Sequence, residues 1–193
     1  FFSRFRIDVR VRHEVTDIDT AAKTVTVKKL DSGEVFTESY DKLLLSPGAK
    51  PTLPPLAGVE GERIFTLRTV EDTFRIREFV EKNAPKSAVL AGGGFIGLEM
   101  AENLRELGLA VTIVQRPRQV MAPLDADMAV QLHKTLERHG VALRLGSSVE
   151  GFVHENGEIV TLLKDEEPLR SDMVILAIGV TPDSSLAKKA GLQ

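Results

Sequence analysis

Apolar and polar positions alternate in the first part of the chain and recur at helical spacing later on. In residues 9–18 (VRVRHEVTDI) Val9, Val11 and, past His13, Val15 alternate with polar neighbours, the pattern of a half-buried strand. KTVTV at 23–27 alternates again. The turn Asp31-Ser32-Gly33 follows, then EVFTE at 34–38, so residues 9–38 predict a small antiparallel meander. YDKLLLSPG at 40–48 is a short apolar run ending in Pro-Gly, as a strand buried on both faces would be. Residues 50–61 (KPTLPPLAGVEG) have the Pro and Gly content of a linker.

Beyond residue 62 the rhythm changes. Thr69-x-x-Asp72 has the form of a capping box, and Val70, Phe74 and Phe79-Val80 make an apolar stripe, predicting a helix to about Asn83. SAVLAGGG is a strand running into a glycine loop. Ile96, Met100, Leu104 and Leu107 mark a helix ended by Gly108. AVTIV (110–114) is a second strand. Asp125 is placed to cap a helix striped by Ala129, Leu132 and Leu136 and closed by Gly140, and VALRL (141–145) is a third strand. This order predicts an α/β fold, a three-layer Rossmann-type doubly wound parallel sheet. A second meander follows, with the hairpin Asn156-Gly157, then a last apolar strand, DMVILAIG, and a short helix at 184–190.

One pattern occurs twice. Asp41-x-x-x-Leu45-x-x-Gly48-x-x-Pro51 matches Asp172-x-x-x-Leu176-x-x-Gly179-x-x-Pro182, and each copy follows a meander. Two buried strands that happen to end in a turn would account for it, as would two related nucleotide-binding units, each closed by this strand. On the second reading the first unit lacks its front, because the glycine-rich entry loop occurs once. The organisation predicted is a partial nucleotide-binding β segment at 1–62 and a dinucleotide-binding domain with its return strand at 63–193.

Composition narrows the chemistry. With 42% hydrophobic and 27% charged residues, the 193-residue chain can bury a core. No Trp, one Tyr and a net charge of −3 argue against a nucleic-acid surface. The absence of Cys excludes a disulfide scaffold, a Cys-based zinc site and any catalytic thiol carried by this chain, and no metal ligand set is expected. Apolar runs are strand-sized, so no membrane span is expected, and a cytoplasmic location is. The start Phe1-Phe2-Ser3-Arg4, with neither an initiator Met nor a signal-like pattern, predicts an internal piece of a longer protein.

Gly92-Gly93-Gly94-Phe95-Ile96-Gly97 satisfies GxGxxG after a strand and before a helix, which makes it a dinucleotide site. Gly92 permits the tight turn, Gly94 lets the backbone approach a pyrophosphate, and Gly97 lets helix and strand pack closely. The helix N-terminus offers unpaired N–H groups to phosphates. At the end of the second strand, where an acid usually binds the NAD ribose, stands Gln115, followed by Arg116 and Arg118. Two outcomes stay open there: a guanidinium grips a 2′-phosphate, or Gln115 bonds the ribose hydroxyls while the arginines are solvated. Phe95 and Glu99, four apart, would put an aromatic plate and a carboxylate near the nicotinamide end, although a surface helix Glu is usually just solvated. His13, His133, His139 and His154 show no metal spacing and read as structural or solvated.

GGGFIGLEMAENL, YDKLLLSPGAKP, the Gln-Val-Met-x-Pro stretch at 119–123 and DMVILAIGVTPD together resemble the pyridine nucleotide-disulfide oxidoreductases. The branch most resembled is that of coenzyme A-disulfide reductases and NAD(P)H-dependent persulfide reductases, with NADH oxidases and peroxidases as near kin. The resemblance implies an FAD-dependent parent that passes hydride from NAD(P)H to flavin and on to a small disulfide or persulfide. It implies a parent homodimer, and a redox Cys upstream of this chain. By position it implies that Gly92 to Gly97 bind NAD(P)H phosphates and Phe95 gates nicotinamide from flavin. Glu99 would pair with an upstream Lys, Gln115 would be the ribose position, and Ile178 and Gly179 would lie beside the nicotinamide. Val15 and Ser46-Pro47-Gly48 would touch FAD in the parent. This chain alone is expected to bind NAD(P)H and to lack turnover.

Overall fold

A computed structural model describes residues 1–192, which form two compact units, Phe1–Ala49 with the chain from Pro182, and Lys50–Thr181. The first unit is a meander of β1 (His13–Asp19), β2 (Thr24–Lys29) and β3 (Val35–Ser39), antiparallel in the order β1-β2-β3. Its strands correct the reading at both ends. Residues 9–12 are not strand, because pairing begins at His13↔Lys29 and Arg12 takes a left-handed φ of +57°. Val9 and Val11 are therefore exposed. A bulge between Val15 and Asp17 then shifts the buried face from Val15 to Ile18, which packs inward together with Val27. Residues 40–48 form no strand either. Leu44 is 89% exposed: an apolar run becomes a strand only where neighbours pair its backbone. Here only the two ends are bonded, by the Tyr40 N–H to the Lys23 carbonyl and by the Asp183 N–H to the Gly48 carbonyl, with no ladder over 41–47 among the described residues. A short strand, β4 (Ala49–Pro51), follows Gly48.

The larger unit has three layers. Its middle is a five-stranded, all-parallel sheet in the order β5-β12-β6-β7-β8: β5 (Ile64–Thr66), β6 (Ser87–Ala91), β7 (Ala110–Gln115), β8 (Val141–Leu145) and β12 (Met173–Leu176). Alternation along each strand sorts the side chains between two cores. Phe65, Ala88, Leu90, Val111, Ile113, Met173 and Ile175 face one way, toward α1 (Val70–Asn83), α2 (Phe95–Glu106) and α3 (Ala126–Arg138). Ile64, Val89, Ala91, Val114, Val174 and Leu176 face the other way, toward Phe152, Ile159 and Leu163. Those three belong to a second meander, β9 (Val149–Glu155), β10 (Glu158–Leu163) and β11 (Leu169–Ser171), which covers that face.

Local chemistry sets the boundaries. The Thr69 hydroxyl accepts from the Asp72 N–H, and the Asp72 carboxylate accepts from the Thr69 N–H, a complete capping box. Asp125 stands at the N-cap of α3, but its carboxylate makes no capping bond. Asn156 and Gly157 both have positive φ, as a two-residue hairpin requires. At the N-terminal edge of the sheet, Asp172 accepts from the Lys86 N–H (2.7 Å), the Ser87 N–H (2.9 Å) and the Ser87 hydroxyl (3.0 Å). Burial pushes this carboxyl upward, yet those hydrogen bonds and Arg63 together hold it below the usual range.

Past Gly179 the chain forms β13 (Val180–Pro182), paired with β4, and α4 (Ser185–Lys189). In the smaller unit, Lys189 Nζ lies 3.1 Å from an Asp17 carboxylate oxygen. No helix is long and apolar enough to cross a membrane among the described residues.

Candidate functional site

A cavity of about 660 Å³ opens at the carboxyl ends of β6, β7 and β12. There the strand order turns, since β6 leads through α2 to β7 on one side while its neighbour on the other side, β12, comes much later in the chain. Open α/β sheets bind ligands at such a switch point. The walls are Ala91, Gly92 and Gly94 after β6, Val114 to Pro117 after β7, and Leu176 to Gly179 after β12. Thr52, Pro54, Leu56, Ser147 to Val149 and Phe152 complete them.

The glycines of the loop are needed for different reasons. Gly92 has φ +114°, and a Cβ there would lie 2.2 Å from the Ala177 carbonyl oxygen. A Cβ at Gly97 would lie 2.0 Å from the Gly92 carbonyl oxygen, so the helix sits against the loop only with glycine at that place. At Gly93 it would press on Val120 Cγ1 at 2.8 Å. Gly94 differs. Its φ is −86°, which any residue adopts, and nothing lies within 4 Å of a Cβ built on it. Its free side faces the cavity, and it is the N-cap of α2, where no side chain caps the helix. The uncapped first turn leaves backbone N–H groups and a partial positive charge at the cavity wall.

The far wall is held by a backbone lattice. The Ser147 N–H donates to the Gln115 carbonyl (3.2 Å), and the Gly146 N–H to the Pro117 carbonyl (3.0 Å). Ser147 is 3% exposed, and its hydroxyl donates to the Glu166 carboxylate, which reaches over from the β10–β11 loop. The Met121 N–H donates to the Gly93 carbonyl at 2.8 Å, and the Val120 N–H to His133 Nε2 at 3.2 Å. His133 is thus a structural acceptor, and His154 holds the Gly58 carbonyl at 2.9 Å.

Of the residues singled out by sequence, Gly92, Gly94, Gln115, Arg116, Ile178 and Gly179 meet at this one cavity. Gly93, Ile96 and Gly97 stand in the loop and first turn behind its wall. Phe95 (72% exposed) and Glu99 are exposed on the first turns of α2 and do not line it. Val15, Ser46, Pro47 and Gly48 belong to the smaller unit, where all except Val15 lie in irregular chain. Sequence reasoning missed Ser147, Ser148 and Phe152. The serines had a signal, since they follow the end of a parallel strand; Phe152 had none, because a meander strand reaches the cavity only through the packing of two sheets.

The sequence model of the pyridine nucleotide-disulphide oxidoreductases matches residues 3–193, all but the first two residues. The chain belongs to that family. Family relatives include an NADH oxidase of Methanocaldococcus jannaschii, 38% identical over 95% of this chain and 41% of its own length. A coenzyme A disulfide reductase of Staphylococcus aureus is 35% identical over 100% of the chain and 42% of its own length. Among solved structures of the family, reduced Bacillus anthracis CoADR-RHD superposes with a TM-score of 0.89 at 45% identity, covering 100% of this chain and 34% of that one. The chain thus spans less than half the length of the relatives it matches.

Proposed function

We propose that the cavity binds NAD(P)H and that the chain is the NAD(P)H-binding portion of an FAD-dependent oxidoreductase. Residues 63–193 would hold the nicotinamide cofactor, and residues 1–62 would belong to the FAD-binding domain. In the parent, hydride passes from NAD(P)H to flavin and on to a small disulfide or persulfide such as coenzyme A disulfide. Hydride chemistry belongs to the cofactors, so the work of this chain is positioning. Gly92 to Gly97 take the pyrophosphate on the N-terminus of α2, Gln115 and Arg116 meet the adenosine end, and Ile178 and Gly179 flank the nicotinamide. Phe95 and Glu99 face the flavin side, and Val15, Ser46, Pro47 and Gly48 touch FAD. The redox Cys comes from outside this Cys-free chain, so the chain alone binds and does not turn over. We place the parent in the cytoplasm as a homodimer.

The observation that carries this reading is Gly94. Neither its backbone angles nor its surroundings require glycine, yet it stands at the cavity beneath an uncapped helix start. A ligand that must lie against the backbone supplies the missing reason. Gly94→Val tests it. The fold has room for the side chain, so the variant should lose about 1 kcal/mol of stability or less, the N-cap preference. NAD(P)H binding should weaken by about 2 kcal/mol or more, the scale of displaced charge-assisted hydrogen bonds. Unchanged affinity by calorimetry in the folded variant would remove the loop from the site.

A second reading of the parent, an NADH oxidase or peroxidase, is favoured by the 38% identity to the Methanocaldococcus protein of that oxidase name. Turnover of the complete parent with NADH, measured with oxygen, with peroxide and with coenzyme A disulfide in turn, separates the two.

A further inference from the structure

The glycine loop opens to the cavity on one side and is gripped on the other. Both backbone groups of Gly93 are engaged: its N–H donates to Gln115 Oε1 at 2.9 Å, and its carbonyl accepts from the Met121 N–H at 2.8 Å. Val120 is 0% exposed and lies so close that a Cβ at Gly93 would be 2.8 Å from its Cγ1. Residues 119–124 (QVMAPL) therefore grip this glycine, yet none of them lines the cavity. The stretch also ties itself together. Gln119 Nε2 donates to the Leu124 carbonyl (2.8 Å), the Leu124 N–H to the Met121 carbonyl (2.9 Å), and Gln115 Nε2 to the Gln119 carbonyl (3.3 Å). Met121, 6% exposed, has a left-handed φ of +49°. A residue other than glycine keeps such an angle where its surroundings over-determine it.

This irregular stretch is anchored to a helix by a side chain. The Val120 N–H donates to His133 Nε2 at 3.2 Å, and His133 stands half-buried on α3, outside the cavity lining. A backbone N–H only donates, so Nε2 is the bare ring nitrogen and the proton sits on Nδ1. Without that acceptor the buried Val120 N–H has no partner, and the loop gains by shifting to where water meets it. Met121 and, through its carbonyl, Gly93 shift with Val120. The glycine loop then spends less time in the geometry that lines the cavity, and apparent affinity falls with that fraction. We propose that residues 119–124 clamp the glycine loop from outside the cavity. His133, through Val120, is the positioning residue that keeps the clamp closed for dinucleotide binding. The proposal rests on the reading of the cavity as a dinucleotide site and adds a residue that never touches the ligand.

The test compares His133→Leu and His133→Ala, which remove the acceptor with residues that favour a helix, and His133→Gln, whose amide oxygen can replace Nε2. NADH and ADP-ribose are titrated calorimetrically into the 193-residue chain, and amide hydrogen exchange is followed in the same proteins. Leucine and alanine should each weaken both ligands about fivefold or more. They should also speed exchange at the Gly93 and Met121 amides about tenfold, while Ile113 in the core of β7 keeps its rate. Glutamine should restore affinity and exchange to within about twofold of wild type. If the wild-type chain binds neither ligand, the dinucleotide reading itself fails. If it binds and the leucine and alanine variants bind equally well, the site stands and the positioning role is wrong. Faster exchange at Ile113 together with the loop amides would reduce His133 to a general stabiliser, and failure of glutamine to restore binding would assign the effect to the ring rather than the acceptor; either result overturns the proposal.

Discussion

The two copies of the Asp-to-Pro pattern had the same sequence credentials and became different structures. In the second copy, residues 173–176 are a fully buried strand between β5 and β6, and Asp172 is tied to the start of β6. In the first copy, residues 42–47 have no regular structure, and Asp41 has no hydrogen-bond or ion-pair partner among the described residues. What the copies share is the ending. Gly48 and Gly179 both take a positive φ (+78° and +119°), and each is followed by a three-residue strand ending in proline. The turn is local chemistry and forms wherever its glycine and proline stand. The strand is a collective property, since its backbone groups need neighbours to bond and its side chains need two faces to bury.

The sharpest way to break this comparison is to truncate matching positions. Ile175 is 0% exposed in the helix-side core, while Leu44 stands at the same place in the first copy and faces solvent. Ile175→Ala should cost about 2–5 kcal/mol in urea unfolding, and Leu44→Ala less than ~0.5 kcal/mol. Equal losses would mean that the first copy is packed after all.

The aspartates give the next effect. Asp172→Ala leaves the Lys86 and Ser87 N–H groups without their acceptor and should cost about 1–3 kcal/mol, against less than ~0.5 kcal/mol for Asp41→Ala. The sign in pH follows from the depressed carboxyl of Asp172. Its stabilisation is fully present above the unfolded-state value near ~3.9 and is lost as pH falls through the lower native one. Asp172→Asn should therefore flatten the acid limb of the stability curve.

The smallest expected effect lies in the meanders in front of each copy. Thr161 of β10 is completely buried with no partner for its hydroxyl among the described residues, whereas Thr26 of β2 is only half-buried. Thr161→Val removes an unsatisfied polar atom and should raise stability by about 1 kcal/mol. Thr26→Val should stay within ~0.5 kcal/mol, and a loss at Thr161 would show that the hydroxyl has a role that its surroundings do not reveal.

The sequence by itself determined whatever depends on near neighbours in the chain. The capping box at Thr69 and Asp72, the Asn156-Gly157 hairpin, the helix stop at Gly108 and the glycine loop after β6 all stand where the pattern put them. Each is settled by side-chain-to-backbone bonds within a few residues or by glycine's access to positive φ. Tertiary structure alone decided the start of β1, where pairing with β2 begins, and the loss of the strand at 40–48, where no ladder forms over 41–47 among the described residues. It also brought Ser147 and Phe152 to the cavity and showed Gly94 to be free of any demand from the fold. At Gln115 the end of the second strand after the glycine loop predicted a residue near a ribose. The direction in which its amide faces was decided by Gly93, 22 residues earlier in the chain, and by Gln119. Hydrogen bonds between distant residues fix donors and acceptors in space, and no period in the sequence encodes them.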